Sequence, residues 1–287
     1  MDLLVASWIG LMAGIMFFGL NISYNAVARR LQATQQPHQP SPPLKAADHV
    51  NDGKYHLLLA ATGSVATIKI PNILNALSKY DNLSVRVLLS DSAANFLQGQ
   101  SGEQPSLTDM AKIKNVEGIY LDEDEWRKPW IRGDSILHIE LRRWADLLVI
   151  APLSANSLAK VAMGLSDNLI SSVVRAWDTI GIDSARPGIV LPFRGRKCII
   201  VAPAMNSAMW AHPVTAEHIQ RLSSQWSVES GGSFEVLRPV EKELACGDTG
   251  SGAMREWTGI VATIETWLQL RIGEKNATRL RQLEAKG

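Results

Sequence analysis

Four short, almost unbroken apolar runs set the plan of this chain: residues 56–61 (HLLLAA), 84–89 (SVRVLL), 147–151 (LLVIA) and 197–203 (KCIIVAP). Runs this short and continuous suit strands covered on both faces, as in a parallel sheet. Between them lie segments of helical spacing. One runs to about Leu77, with Pro71 in its first turns, which predicts a late start or a kink. Another, over 164–177, puts Leu165, Leu169, Val173 and Ala176 on one face. A third amphipathic segment covers 257–272. The alternation predicts an α/β chain built on a parallel sheet.

Each apolar run ends in a turn of small polar residues. Thr62-Gly63-Ser64-Val65 follows the first, and Ser90-Asp91-Ser92 the second, ahead of a helix at 93–97. Pro152 is expected to end the third, and residues 154–157 (SANS) open the next helix. Pro203-Ala204-Met205-Asn206 follows the fourth, and Pro213 suits the first turn of a helix at 214–222. Ligands in open parallel sheets bind outside the carboxyl ends of the strands. Gly63 permits close backbone approach, and Ser64 can cap a helix or contact a phosphate. A plain turn reads equally well there, because the G-x-G-x-x-G pattern is absent. Asn206 can donate to and accept from a ligand.

The third strand is preceded by residues 136–146 (ILHIELRRWAD), which bring His138, Glu140, Arg142 and Arg143 close to a strand end. His138 is the candidate proton carrier. Residues 99–114 and 179–195 read as irregular, and 119–126 as a short strand followed by a solvated acidic loop. Residues 243–254 (ELACGDTGSGAM) are too rich in glycine for a strand or helix core, and read as a mobile flap. Cys246 on that flap is a candidate acid, nucleophile or redox thiol, or an incidental free thiol. Cys198, inside an apolar run, reads as a buried structural thiol.

Composition narrows the partners. A net charge of +1 offers no basic field for nucleic acid, and two cysteines are too few for a disulfide framework or a paired-cysteine metal site. No metal is expected. Residues 3–20 form an uncharged apolar run with Arg29 and Arg30 behind it. That pattern reads as a membrane anchor with the following domain in the cytosol, or as a non-native start or an apolar helix docking on another surface, and fits a cleaved signal less well. The expected organisation is an apolar segment over 1–30, a disordered linker over 31–53, one catalytic domain over 54–272 and a charged tail over 273–287.

Four segments together closely resemble the phosphopantothenoylcysteine decarboxylases, the eukaryotic-type branch of the flavin-containing cysteine decarboxylase family. They are Gly63-Ser64-Val65, HIELRRW at 138–144 with APLSAN at 151–156, PAMN at 203–206, and ACGD at 245–248. The resemblance covers about residues 55–268. It implies a flavodoxin-like doubly wound parallel sheet, bound FMN, and a homotrimer with its sites between subunits. It implies FMN contacts from Gly63, Ser64, Val65, Ser90, Ser92, Ser154, Ala155, Asn156, Ser157 and Ala204. It implies catalytic roles for His138 and Cys246, and substrate contacts from Asn206, Ala245, Met254 and Arg143.

The implied reaction is decarboxylation of 4′-phosphopantothenoylcysteine to 4′-phosphopantetheine, in coenzyme A biosynthesis, by transient oxidation of the thiol. A thiol-bearing carboxylate has no electron sink; oxidation to a thioaldehyde places the carboxylate beta to C=S, and loss of carbon dioxide then gives a stabilised enethiolate. The cytosol is the implied compartment, with membrane contact through the N-terminal segment alone. Two relatives offer other activities, a phosphatase-inhibiting regulatory subunit and a peptidyl-cysteine decarboxylase. The flap argues against a flavin prenyltransferase. Glu243 stands where the family often has a basic residue, and residues 181–195 are longer than its usual link.

Overall fold

The apolar runs form the middle of one parallel sheet. The computed structural model describes residues 41, 43–182, 186–191, 195–243 and 249–270. The apolar segment at 1–30, the tail at 273–287 and the flap residues Ala245 and Cys246 lie outside the described residues.

Strand β1 (Tyr55–Ala61) leads through a single-turn 3-10 element, Val65–Lys69, into helix α1 (Ile70–Leu77). Pro71 stands in the first turn of α1, where its missing N–H is needed least, so the late start is the one observed. Strand β2 (Leu83–Leu89) precedes the short helix α2 (Asp91–Ala94). The stretch over 99–114, expected to be irregular, instead holds most of a hairpin of β3 (Gln98–Ser101) and β4 (Gln104–Ser106) and a helical turn, α3 (Leu107–Met110). Strand β5 (Val116–Leu121) is followed by α4 (Leu137–Trp144), β6 (Leu147–Leu153), α5 (Ala155–Met163) and α6 (Leu169–Arg175). Then come β7 (Cys198–Pro203), α7 (Ser207–Ala211), α8 (Pro213–Gln220), β8 (Phe234–Val236), a hairpin of β9 (Val240–Glu243) and β10 (Thr249–Ala253), and α9 (Trp257–Trp267).

Six strands lie in the order β5-β2-β1-β6-β7-β8, every neighbouring pair parallel. The chain winds outward from β1 through β2 to β5, then returns to β6 and winds the other way. This is the doubly wound, flavodoxin-like sheet, with its reversal between β1 and β6. Alternate residues feed two cores. Leu57, Leu59, Val149 and Ile200 pack with α1 and α9 on one face, while Leu58, Leu148, Ile150 and Val201 pack with α4, α5 and α6 on the other. Cys198 is 2% exposed, and burial pushes its thiol far above the ordinary range, as a structural thiol requires.

Two boundaries differ from expectation. Strand β6 runs past Pro152 to Leu153. Pro152 falls where the ladder to β7 is irregular, between Ile150 and Leu153, so its missing N–H interrupts no regular rung. Of the segment expected as linker over 31–53, the described residues 41 and 43–53 pack on the domain. The Ser41 hydroxyl donates to the Ile119 carbonyl and accepts the Ile119 N–H, both at 3.0 Å, which satisfies the free edge of β5. Leu44 is 3% exposed in the core around Trp144, and the Ala46 N–H donates to Glu140 at 2.7 Å. Such contacts have no periodicity to reveal them in the sequence.

Among the described residues no helix is long and apolar enough to cross a membrane.

Candidate active site

The turns after β1, β2, β6 and β7 close on one cleft of about 550 Å³ at the carboxyl edge of the sheet. Thr62 stitches two of them together. Its N–H and hydroxyl both donate to the Pro152 carbonyl, at 3.0 and 3.1 Å, and the same hydroxyl accepts the Ser154 N–H at 2.7 Å. The Ala204 N–H donates to the Leu153 carbonyl at 3.0 Å, drawing in the turn after β7. Gly63 lies so close to the turn after β2 that a Cβ there would sit 2.6 Å from that of Ser92.

Side chains at these turns are fixed by the helices they start. Ser90 and Ser154 are N-caps, each accepting a backbone N–H at 3.3 Å. Ser154 also donates to the Ser157 hydroxyl at 3.2 Å. Of the ten expected cofactor residues, all line the cleft except Val65, which is 43% exposed.

The lining fits a flavin mononucleotide. At one end a glycine without Cβ, the hydroxyls of Ser64, Ser92 and Ser157, and the start of the nine-residue helix α5 offer donors for a phosphate. At the other, Ala204, Met205 and Met209 offer the apolar wall a ring system needs. The volume is that of an ordinary small-molecule site.

Asn206 lines this second end. It is the N-cap of α7, its Oδ1 accepting the Met209 N–H at 2.8 Å. With the acceptor so engaged, the Nδ2 amide is the end left for a ligand, which suits a carboxylate. The residues read as a mobile flap form in part a strand, β10, paired antiparallel with β9. Their glycines are what permit it: a Cβ on Gly250 would meet the Ser207 hydroxyl at 1.6 Å, and one on Gly252 the Met205 carbonyl at 2.2 Å. Met254, expected beside the substrate, is 8% exposed in the core between the sheet and α9, and does not line the cleft.

His138 and Arg143 do not line the cleft either. Arg143 is half exposed and pairs with Glu140 at 3.3 Å. His138 is in the first turn of α4, beside a second hollow of about 650 Å³ bordered by its neighbours Glu125 and Leu137. Its Nδ1 lies 2.8 Å from Glu125 Oε1, and its N–H donates to Glu125 Oε2 at 3.1 Å.

The acidic loop over 122–125, expected to be solvated, is so only at Glu123, whose side chain is 65% exposed. Asp122 accepts the Leu169 N–H at 3.1 Å, Asp124 the Leu121 N–H at 2.7 Å, and the Glu125 side chain is 4% exposed. Asp122 also lines the cleft, as do Asp167 and Lys160, none of which lies in the polar turns read from the sequence, and so does Asp91 of the second turn. Burial raises the Asp122 pKa, and the nearby Asp91 carboxylate adds to this, against the Leu169 N–H. Lys160 pairs with Asp167 at 2.8 Å, and that hydrogen bond lowers the Asp167 pKa.

Comparison with known proteins matches residues 45–269 to the model of the Flavoprotein family. The mouse phosphopantothenoylcysteine decarboxylase is 37% identical over 230 residues, 80% of this chain and 95% of the relative. A probable thymidylate synthase of the fission yeast Schizosaccharomyces pombe is 42% identical over 228 residues, 79% of this chain but 31% of the relative, so the chain spans under a third of that longer protein. The solved structure of the FMN binding protein AtHal3 matches 75% of this chain and 97% of its own, at 39% identity and a TM-score of 0.56.

Proposed function

This chain belongs to the flavoprotein family, and from that we propose that it is an FMN-dependent decarboxylase that converts 4′-phosphopantothenoylcysteine to 4′-phosphopantetheine. The observation that carries the reading is the cleft at the sheet reversal, with its phosphate-suited turns at one end and the Asn206 amide at the other. The near full-length likeness to the mouse decarboxylase supports the choice of substrate.

Bound FMN supplies the temporary two-electron oxidation of the cysteinyl thiol that makes loss of carbon dioxide feasible. The protein binds, orients and moves protons. Gly63, Ser64, Ser92, Ser154, Asn156 and Ser157 hold the phosphate-bearing end, with Ser90 shaping its turn. Ala155 and Ala204 leave room for the ring. Asn206 Nδ2 donates to the substrate carboxylate, a neutral contact that orients the group without strongly stabilising a charge about to leave. His138 takes up and returns a proton during turnover. Cys246 donates the last proton, with Ala245 beside it.

The working enzyme is a homotrimer whose sites lie between subunits, with His138 and Arg143 of one chain serving the cleft of another. Their absence from the cleft lining of a single chain supports this arrangement. The compartment is the cytosol.

The test begins with the purified protein's visible spectrum, followed by addition of 4′-phosphopantothenoylcysteine. A yellow protein that releases carbon dioxide and 4′-phosphopantetheine, read by mass spectrometry, is expected. A yellow protein that yields neither product overturns the substrate; a colourless one overturns the cofactor.

A further inference from the structure

We propose that Glu125 is a positioning residue for His138, fixing the ring so that Nε2 is the atom offered to substrate; the proposal rests on the proton-carrying role assigned to His138 above. Both oxygens of this carboxylate are committed to one residue. Oε1 lies 2.8 Å from His138 Nδ1 and Oε2 accepts the His138 N–H at 3.1 Å. An ionised carboxylate only accepts hydrogen bonds, so the neutral ring carries its proton on Nδ1 and its lone pair on Nε2.

The two ends of the pair differ in access. The Glu125 side chain is 4% exposed and that of His138 is 22% exposed, so the anchor is enclosed while the ring stays reachable. The anchor is itself fixed. Glu125 directly follows the 3-10 turn Asp122–Asp124, and that turn is tied to β5 through the Leu121 N–H and to α6 through the Leu169 N–H.

A plain helix cap is the competing account. Ile136, the N-cap of α4, has no side chain able to cap, and Glu125 supplies a carboxylate in its place. Capping explains the bond from Oε2, but the Nδ1 contact adds nothing to it. The pattern of a buried carboxylate orienting a histidine through Nδ1 is the one that sets tautomer and aim in other proton-transfer sites.

The experiment uses the full-length protein with ¹⁵N-labelled histidine, in wild type, Glu125→Gln and Glu125→Asp. In wild type the His138 signals should be those of a ring protonated at Nδ1 and bare at Nε2; the reverse tautomer overturns the proposal without any assay. Glu125→Gln has one acceptor oxygen for two donors. It should keep its flavin spectrum and melting temperature, lose the Nδ1–H preference, and lower kcat about 10²-fold with KM unchanged. Glu125→Asp, still a carboxylate, should recover part of that loss. Wild-type kcat in Glu125→Gln, or equal damage in both variants with loss of flavin, would mark Glu125 as a helix cap alone. A wild type without turnover fails the decarboxylase reading instead, and the tautomer measurement still decides the role of Glu125.

Discussion

Met205 and Gly252 are joined backbone to backbone: the Met205 N–H donates to the Gly252 carbonyl at 3.0 Å, and a Cβ on Gly252 would lie 2.2 Å from the Met205 oxygen. The wall of the cleft that carries Asn206 is therefore set by a strand that follows it by more than forty residues. Gly252→Ala has no room without moving that turn. We expect a loss of about 1–3 kcal/mol in stability by urea unfolding, together with a raised KM. An unchanged KM would detach β10 from the substrate site.

Asn206→Asp separates capping from binding. Aspartate caps a helix as well as asparagine does, so folding and flavin content should be kept. The amide donor is replaced by a negative charge facing a carboxylate. Loss of a hydrogen bond to a charged group is worth about 1.5–3 kcal/mol, so kcat/KM should fall at least about 10- to 100-fold. Wild-type steady-state kinetics in this variant would remove Asn206 from substrate binding.

Sites shared between subunits should show complementation. His138→Asn and Asn206→Asp, each strongly impaired alone, are co-expressed and purified together. If one chain supplies His138 to another's cleft, random mixing restores about a quarter of the sites. No recovery in a mixed oligomer verified by mass would mean that each chain forms its own site.

Arg186 anchors the loop over 179–195, which is longer than the family's usual link. It is 8% exposed and donates to both oxygens of Asp146 and to the carbonyls of Lys54 and His49. Asp146 is 2% exposed. Arg186→Ala leaves that carboxylate buried without its cation, which costs about 3–5 kcal/mol. A shift in the urea midpoint equivalent to less than about 1 kcal/mol would show that the network adds little.

Asp52 gives the acid limb. Burial works to raise its pKa, but the Lys54 N–H, His56 and Arg186 outweigh it, and the net direction is below the ordinary 3.8. A carboxylate depressed in the folded state contributes stability that is present above its unfolded pKa and lost as pH falls through its folded pKa. Asp52→Asn should be less stable than wild type near neutral pH and lose less on going from about pH 5 to pH 3. Parallel unfolding curves for the two proteins across that range would refute the assignment.

The sequence by itself determined the four central strands and the polar turns at their carboxyl ends, because a strand covered on both faces must be apolar throughout and a ligand turn must be small and polar. Those two rules are local, and they located the cleft wall from Gly63 to Asn206. Only the tertiary structure decided which segments are brought against that frame. Ser41 and Leu44 lie in a proline-rich stretch with no period, yet one satisfies the edge of β5 and the other fills the core beside Trp144. Glu125 reads as one more charge in an acidic loop, and its partner His138 is thirteen positions away. The glycines of β10 look like a break in structure, but it is their missing Cβ atoms that let the strand press against Met205 and Ser207. Local pattern records what a residue does for its own element. These residues act on another element, through single hydrogen bonds and close approaches that leave no periodic trace.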